Sequence, residues 1–265
     1  MQRNFTHLNP HRHLLVTLIS LIFVSCVYFN TFYNAETSFK KAMKIIEESP
    51  ILDNEDLPSQ AKKLLGESIE NSKLVLREFP DSKYVDDAVF IIAKASFLRD
   101  EIAVAESHFN RLIREYPESK FYAYSEIWLA YTHFRIGMVD SAKTELRIIQ
   151  AKKSMNKEQL FIIHNVLAEI AMEVDSLELV YHHYELAAGY ASYDSQKTAT
   201  YGRLVNIAEN DGDKKLAVVI QHILDITSPE HRNPSLVPFP GSGGFDSSHC
   251  LNNPLPPFVI IDIII

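Results

Sequence analysis

The segment Arg77-Glu78-Phe79-Pro80-Asp81-Ser82-Lys83-Tyr84 returns as Arg114-Glu115-Tyr116-Pro117-Glu118-Ser119-Lys120-Phe121, which sets a repeat period of 37 residues. A fixed period of this size is the signature of stacked helical hairpins, because each hairpin has an apolar face that it covers only by packing on its neighbour. Such stacks commonly serve as binding surfaces, so the repeat carries the first functional expectation as well.

On either side of these segments the apolar residues fall at helical spacing. Phe32, Ala35, Phe39, Ala42, Met43 and Ile46 recur at three- and four-residue steps and predict an amphipathic helix over 29–48. An acidic loop bounded by Pro50 and Pro58 interrupts it, and Ala61, Leu64, Leu65, Ile69, Leu74 and Leu76 mark a second helix over 59–78. Asp86 and Asp87 then stand where carboxylates favour a helix N-terminus. Val89, Ile92, Ala93 and Phe97 give the buried side, Leu98-Arg99-Asp100 the turn, and Ala105, Phe109 and Leu112 the returning helix.

The next unit runs through Leu129, Ala130, Phe134, Gly137, Ala142, Leu146 and Ile149. Ala93 pairs with Ala130 and Ala105 with Ala142 at the same period, which places small side chains where two helices approach most closely. Beyond Gln150 the pattern weakens but persists through Leu167-Ala168, Tyr184, Ala187, Leu204, Ala217 and Leu224, with a turn at Asn210-Asp211-Gly212-Asp213. The count comes to about four to five hairpins.

The two ends differ from the middle. Arg3 and Arg12 precede an apolar run, Leu14 to Val24, that is too short to span a bilayer and reads as a secretory signal peptide over residues 1–25. It ends in Phe23-Val24-Ser25-Cys26, which resembles the bacterial lipobox with Phe in place of the usual Leu. That resemblance implies an acylated Cys26 as the mature first residue and a membrane anchor through its acyl chains; a plain signal peptide that happens to end near a Cys is the alternative. Val27, where Asp would favour the inner membrane, implies the outer one.

Removing residues 1–25 takes two basic and no acidic residues, which turns the formal charge of −8 into −10 and argues against a nucleic-acid partner. With only Cys26 and Cys250 in the chain, no disulfide framework is expected. The repeat domain is expected over 26–227. From Ser228 to Ile265 the composition turns to Pro and Gly and reads as a linker closing on the apolar run Phe258 to Ile265. That run is read in three ways: as a strand for a partner's sheet edge, as a wrap on the chain's own repeats, or as a truncated or frame-shifted end.

No catalytic constellation emerges. The sequence has no G-x-S-x-G, phosphate-binding loop, H-E-x-x-H or C-x-x-C motif. Ser248-His249-Cys250 sits in the Pro- and Gly-rich stretch, where nothing holds a reacting geometry. His182-His183 with His164 comes nearest to a metal set, but adjacent residues on a helix point about 100° apart and cannot both face one ion. Asp53, Glu55 and Asp56 lack calcium-loop spacing. No metal, cofactor, small-molecule substrate or enzymatic activity is therefore expected.

The repeats resemble the tetratricopeptide family, with Ile92-Ala93 for its L-G pair, Ala105 and Phe109 for its A-x3-F, and Pro117 for its closing Pro. The second copy keeps Leu129-Ala130 and Ala142 but has Leu146 for Phe and Ser154 for Pro. Signal, anchor and repeat style together resemble tetratricopeptide lipoproteins of bacterial envelopes, including the BamD-type subunits of the outer-membrane barrel-assembly machine. The resemblance implies an all-α, right-handed solenoid whose hairpins line a groove with their first helices. Carried across unit by unit, the groove positions are Phe90, Lys94 and Phe97, then Tyr124, Ile127, Tyr131 and Arg135, then Asn165, Glu169 and Met172.

Packing between repeats is the competing reading for Phe90, Phe97, Phe134, Tyr131 and Arg135, and Trp128 is expected in the core. The function implied is a lipid-anchored scaffold on the periplasmic face of the outer membrane that binds envelope proteins, with barrel-assembly subunits as candidates. The alternative is an accessory factor for cell-wall or polysaccharide machinery that uses Tyr122, Tyr124 and Tyr131 as platforms.

Overall fold

A computed structural model describes residues 30–46, 57–152 and 154–227. Their regular structure is helical throughout: α1 (30–46), α2 (Ser59–Glu78), α3 (Val85–Leu98), α4 (Ile102–Glu115), α5 (Tyr122–Arg135), α6 (Val139–Ala151), α7 (Lys157–Glu173), α8 (Leu177–Tyr190), α9 (Asp194–Asn210) and α10 (Lys214–Thr227). The segment 1–25 expected to be a signal peptide, Cys26, the 50–56 part of the acidic loop and the 228–265 tail lie outside the described residues. The chain forms two compact units that divide within α5, after Ser125. In the first, α2 packs on α3 and α3 on α4; in the second, each helix from α6 to α10 packs on the next.

Four of the turns between helices are built alike. Asp100, Gly137, Asp175 and Gly212 all take a left-handed backbone, with φ of 63°, 83°, 53° and 82°. The residue after each sends its N–H back five positions: Glu101 to Ser96, Met138 to His133, Ser176 to Ala171 and Asp213 to Ala208, at 2.8, 2.9, 3.1 and 2.9 Å. This is the Schellman cap, in which one left-handed residue lets orphan carbonyls of the last helical turn find donors while the chain reverses. Its recurrence at positions 100, 137, 175 and 212 carries the repeat into the part of the sequence where side-chain similarity fades.

The quoted octapeptide builds the other kind of turn, between one hairpin and the next. A proline forces its predecessor out of the helical region, so Phe79 and Tyr116 end α2 and α4 with φ, ψ of −135°, 55° and −130°, 60°. Two residues after each proline, Ser82 and Ser119 send their N–H groups to the carbonyls of Phe79 and Tyr116, both at 3.0 Å. Their hydroxyls accept the N–H groups of Tyr84 and Phe121 at 2.9 and 3.2 Å. Each hydrogen bond in the first copy thus recurs in the second.

Burial follows the periodicity. Leu65, Ile69, Ile92 and Ala95 share one cluster with Ala42, and Ala93, Ala105, Phe109 and Leu112 are fully buried. In the second unit Ala168, Val180, Tyr184, Leu204, Ala208, Ala217 and Ile220 form a continuous core. Its first junction lacks a proline and is closed by other means: Asn156 accepts the Gln159 N–H while the Gln159 side chain accepts the Asn156 N–H, both at 2.9 Å, a reciprocal cap at the start of α7.

The left-handed positions give a direct test. Gly137→Ala places a Cβ in open space but on a backbone that L residues avoid, and it should cost about 1 kcal/mol by urea denaturation. Asp175→Gly should gain up to about 1 kcal/mol by relieving the same constraint. A neutral Gly137→Ala would show that the turn is not held left-handed in solution.

Candidate functional site

In the first unit the aromatic positions expected to line a groove are used for packing. Phe90 and Phe97 are buried. The Phe90 ring stacks on Phe121 with centroids 4.2 Å apart and meets Phe109 and Tyr124 edge-on at 6.3 and 6.4 Å. Tyr124 itself is half-buried, and Lys94 lies over the Phe39 ring of α1 at 5.9 Å.

The junction that holds Phe121 also carries polar ties to α3. The Ser119 hydroxyl donates to Asp86 at 2.6 Å, and the Lys120 ammonium reaches Asp87 at 2.7 Å. The hydrogen bond to Asp87 raises the Lys120 pKa, while burial pushes the Asp87 carboxyl up in spite of Lys120. Desolvation of Asp87 thus works against the pair from the carboxylate's side, while the mostly exposed Lys120 gains from it.

In the second unit Ile127 is fully buried and Trp128 lies in the core as expected. Tyr131 on α5 is 8% exposed and donates its hydroxyl to Glu169 on α7 at 2.6 Å. Glu169 in turn faces Arg203 on α9 at 3.8 Å, and the Arg203 guanidinium lies 6.0 Å from the Tyr184 ring centroid. Burial and the Glu169 carboxylate together raise the Tyr131 pKa well above its usual value, so the phenol stays a donor. Arg135, one turn along α5, is half-buried and acts on the same phenol electrostatically.

The remaining expected positions divide. Asn165 is half-buried and turns its amide back to the Phe161 carbonyl of its own helix at 2.8 Å. Met172, at the end of α7, is 50% exposed. The structure therefore brings Tyr131, Glu169 and Arg135 together with Arg203, which sequence reasoning missed. Arg203 was detectable only as a charged position 34 residues after Glu169, on a helix whose repeat pattern is weak. Two cations, a carboxylate and a phenol on alternate helices make a surface suited to recognising polar groups of a partner; the carboxylate and the phenol are tied to each other rather than set beside a nucleophile.

His164, His182 and His183 were grouped in the sequence and read as too badly placed to share one ion; the structure pairs two of them. His164 on α7 and His183 on α8 meet with their Nδ1 atoms 3.2 Å apart. Among the described residues no group of three or more His, Cys, Asp or Glu side chains is placed to hold a metal ion.

The tie across α5 and α7 makes a measurable prediction. Tyr131→Phe leaves Glu169 without the phenol it accepts from and should cost about 1.5–3 kcal/mol in urea denaturation, the usual range for a hydrogen bond to a charged group. A loss of only a few tenths would mean that the contact does not hold the two helices in solution. A comparison with protein-family models and with curated proteins finds no match to this chain.

Proposed function

We propose that this chain is a non-enzymatic scaffold of the tetratricopeptide type, tethered to the outer membrane by acyl chains on Cys26 and binding envelope proteins from its periplasmic side. The observation that carries the reading is the repeated unit. Two copies of one octapeptide build the same connector, and four turns at positions 100, 137, 175 and 212 build the same cap. Repeats of this kind add surface without adding reactive groups.

Within the second unit, Arg135, Glu169, Arg203 and Met172 are partly or well exposed on or beside alternate helices, and they are the positions proposed to meet a partner. Arg and Met are enriched where proteins recognise proteins. The glycan-platform alternative draws less support, because one of its three rings, Tyr131, is buried with its hydroxyl engaged.

The test is site-specific photo-cross-linking in intact cells. A photoreactive residue at Met172 should yield discrete adducts with an envelope protein, barrel-assembly subunits being the candidates, while the same residue at the exposed Ile148 of α6 should not. Adducts of equal yield at both positions, or adducts confined to cell-wall polymer at Met172, would contradict the scaffold reading.

A further inference from the structure

His164 and His183 form a contact whose chemistry is fixed by its neighbours. The Nδ1 atoms are 3.2 Å apart and the ring centroids 5.4 Å apart. The excess of the second distance over the first is about two ring radii, so the two nitrogens point at each other along the line between the rings. That is the geometry of an N–H···N hydrogen bond, not of two lone pairs converging on a metal ion. Gln150 on α6 places its amide nitrogen 3.2 Å from Nε2 of His164. An amide nitrogen only donates, so Nε2 of His164 accepts and its Nδ1 carries the hydrogen. Nδ1 of His183 therefore accepts, and the chain Gln150→His164→His183 exists only while both rings are neutral.

The surroundings oppose a proton on either ring. His164 is 4% exposed and has the Tyr190 ring of α8 stacked against it at 5.5 Å. From α6, Lys143 and Arg147 act on His183; from α8, His182 acts on both rings and lies 5.3 Å from His183. The charges that act most strongly on the pair are thus positive or become positive on protonation. A proton on Nδ1 of His183 would also set two N–H groups head to head across 3.2 Å.

We propose that the His164–His183 pair is a proton-sensitive clasp, which seats α7 against α8 and α6 while neutral: a proton on Nε2 of His164 displaces the Gln150 amide of α6, and a proton on Nδ1 of His183 breaks the tie between α7 and α8. Burial is the first cause that lowers both histidines, each to about 4, with His182 adding to it for His164 and His164 itself adding to it for His183. In the unfolded or locally opened chain the same groups titrate near 6.5. The open form therefore binds more protons between about pH 6.5 and about pH 4. The clasp's contribution is full above about pH 6.5 and drains away as the pH falls through that window. The release is local, because hairpins of a repeat protein open in smaller units than the whole chain.

The experiment is hydrogen exchange with mass spectrometry on the full mature chain at about pH 7.5 and about pH 5.0, with rates corrected for the intrinsic pH dependence. Protection in α7 and α8 should fall by about tenfold or more at the lower pH, since one proton taken up over this range changes an opening constant by at least that factor. Protection in α3 and α4 should change by less than about twofold. In the double variant His164→Leu and His183→Leu the extra loss in α7 and α8 should vanish. An equal fall in all four helices, or a fall undiminished in the variant, overturns the clasp. Should the variant not fold, nitrogen chemical shifts of labelled histidine in the wild-type chain decide the matter. One ring protonated on Nδ1 and one on Nε2, both silent above about pH 5, supports the clasp; two rings titrating near 6.5 overturns it.

Discussion

The contact on which the first unit depends is an aromatic ring delivered by the connector between two hairpins onto a helix of the hairpin before it. Tyr84 stacks on Phe32 of α1 with centroids 4.3 Å apart and planes 6° apart, and Phe121 stacks on Phe90 of α3 at 4.2 Å and 8°. A lysine covers each ring, Lys83 at 4.9 Å and Lys120 at 4.8 Å. The rest of the octapeptide serves this placement: proline ends the helix, serine turns the chain by accepting the N–H two residues on, and the aromatic then falls where it can stack. A hairpin array needs its neighbours docked at one angle, and a stacked pair sets an angle as well as an area. This explains why sequence identity concentrates in the connector, while the helices keep only their apolar pattern.

Much of the fold was legible because its determinants are local. The 3.6-residue pattern located the helices, and small residues at 93, 105, 130 and 142 marked close approach, each of them fully buried. The turns at Leu98-Arg99-Asp100 and Asn210-Asp211-Gly212-Asp213 fell where left-handed caps are found. What could not be read was partner choice at long range. Phe90, Phe97, Ile127 and Tyr131 were carried to groove positions by resemblance, with packing between repeats as the competing reading for Phe90, Phe97 and Tyr131, and all four are buried, because a period tells which side of a helix is apolar and not what covers it. Tyr131 and Glu169, both carried to the groove, are 38 residues apart, and His164, grouped in the sequence with His182 and His183, meets His183 across a hairpin; the pattern associates these residues without specifying the hydrogen bond between them.

The second unit replaces the octapeptide with other devices. Asn156 and Gln159 cap α7 reciprocally, Tyr131 ties α5 to α7 through Glu169, and Glu169 faces α9 through Arg203. These are polar contacts of defined geometry, and they respond to their surroundings in ways an apolar staple does not. A carboxylate shared between a phenol and a guanidinium can exchange one partner for a group on another protein. A pair of neutral imidazoles gives way to protons. The chain thus combines a first unit held by aromatic stacking with a second held by polar ties.

The central claim is that the connector's ring couples energetically to the hairpin before it, and a double-mutant cycle tests this most directly. Urea denaturation of the wild type, Phe90→Leu, Phe121→Leu and the double variant isolates the pairwise interaction from the cost of lost area at each site. A coupling of about 0.5–1.5 kcal/mol, the range for stacked aromatic pairs, is predicted. Additivity within about 0.3 kcal/mol would contradict the account, leaving the octapeptide as a turn and not as the staple between hairpins.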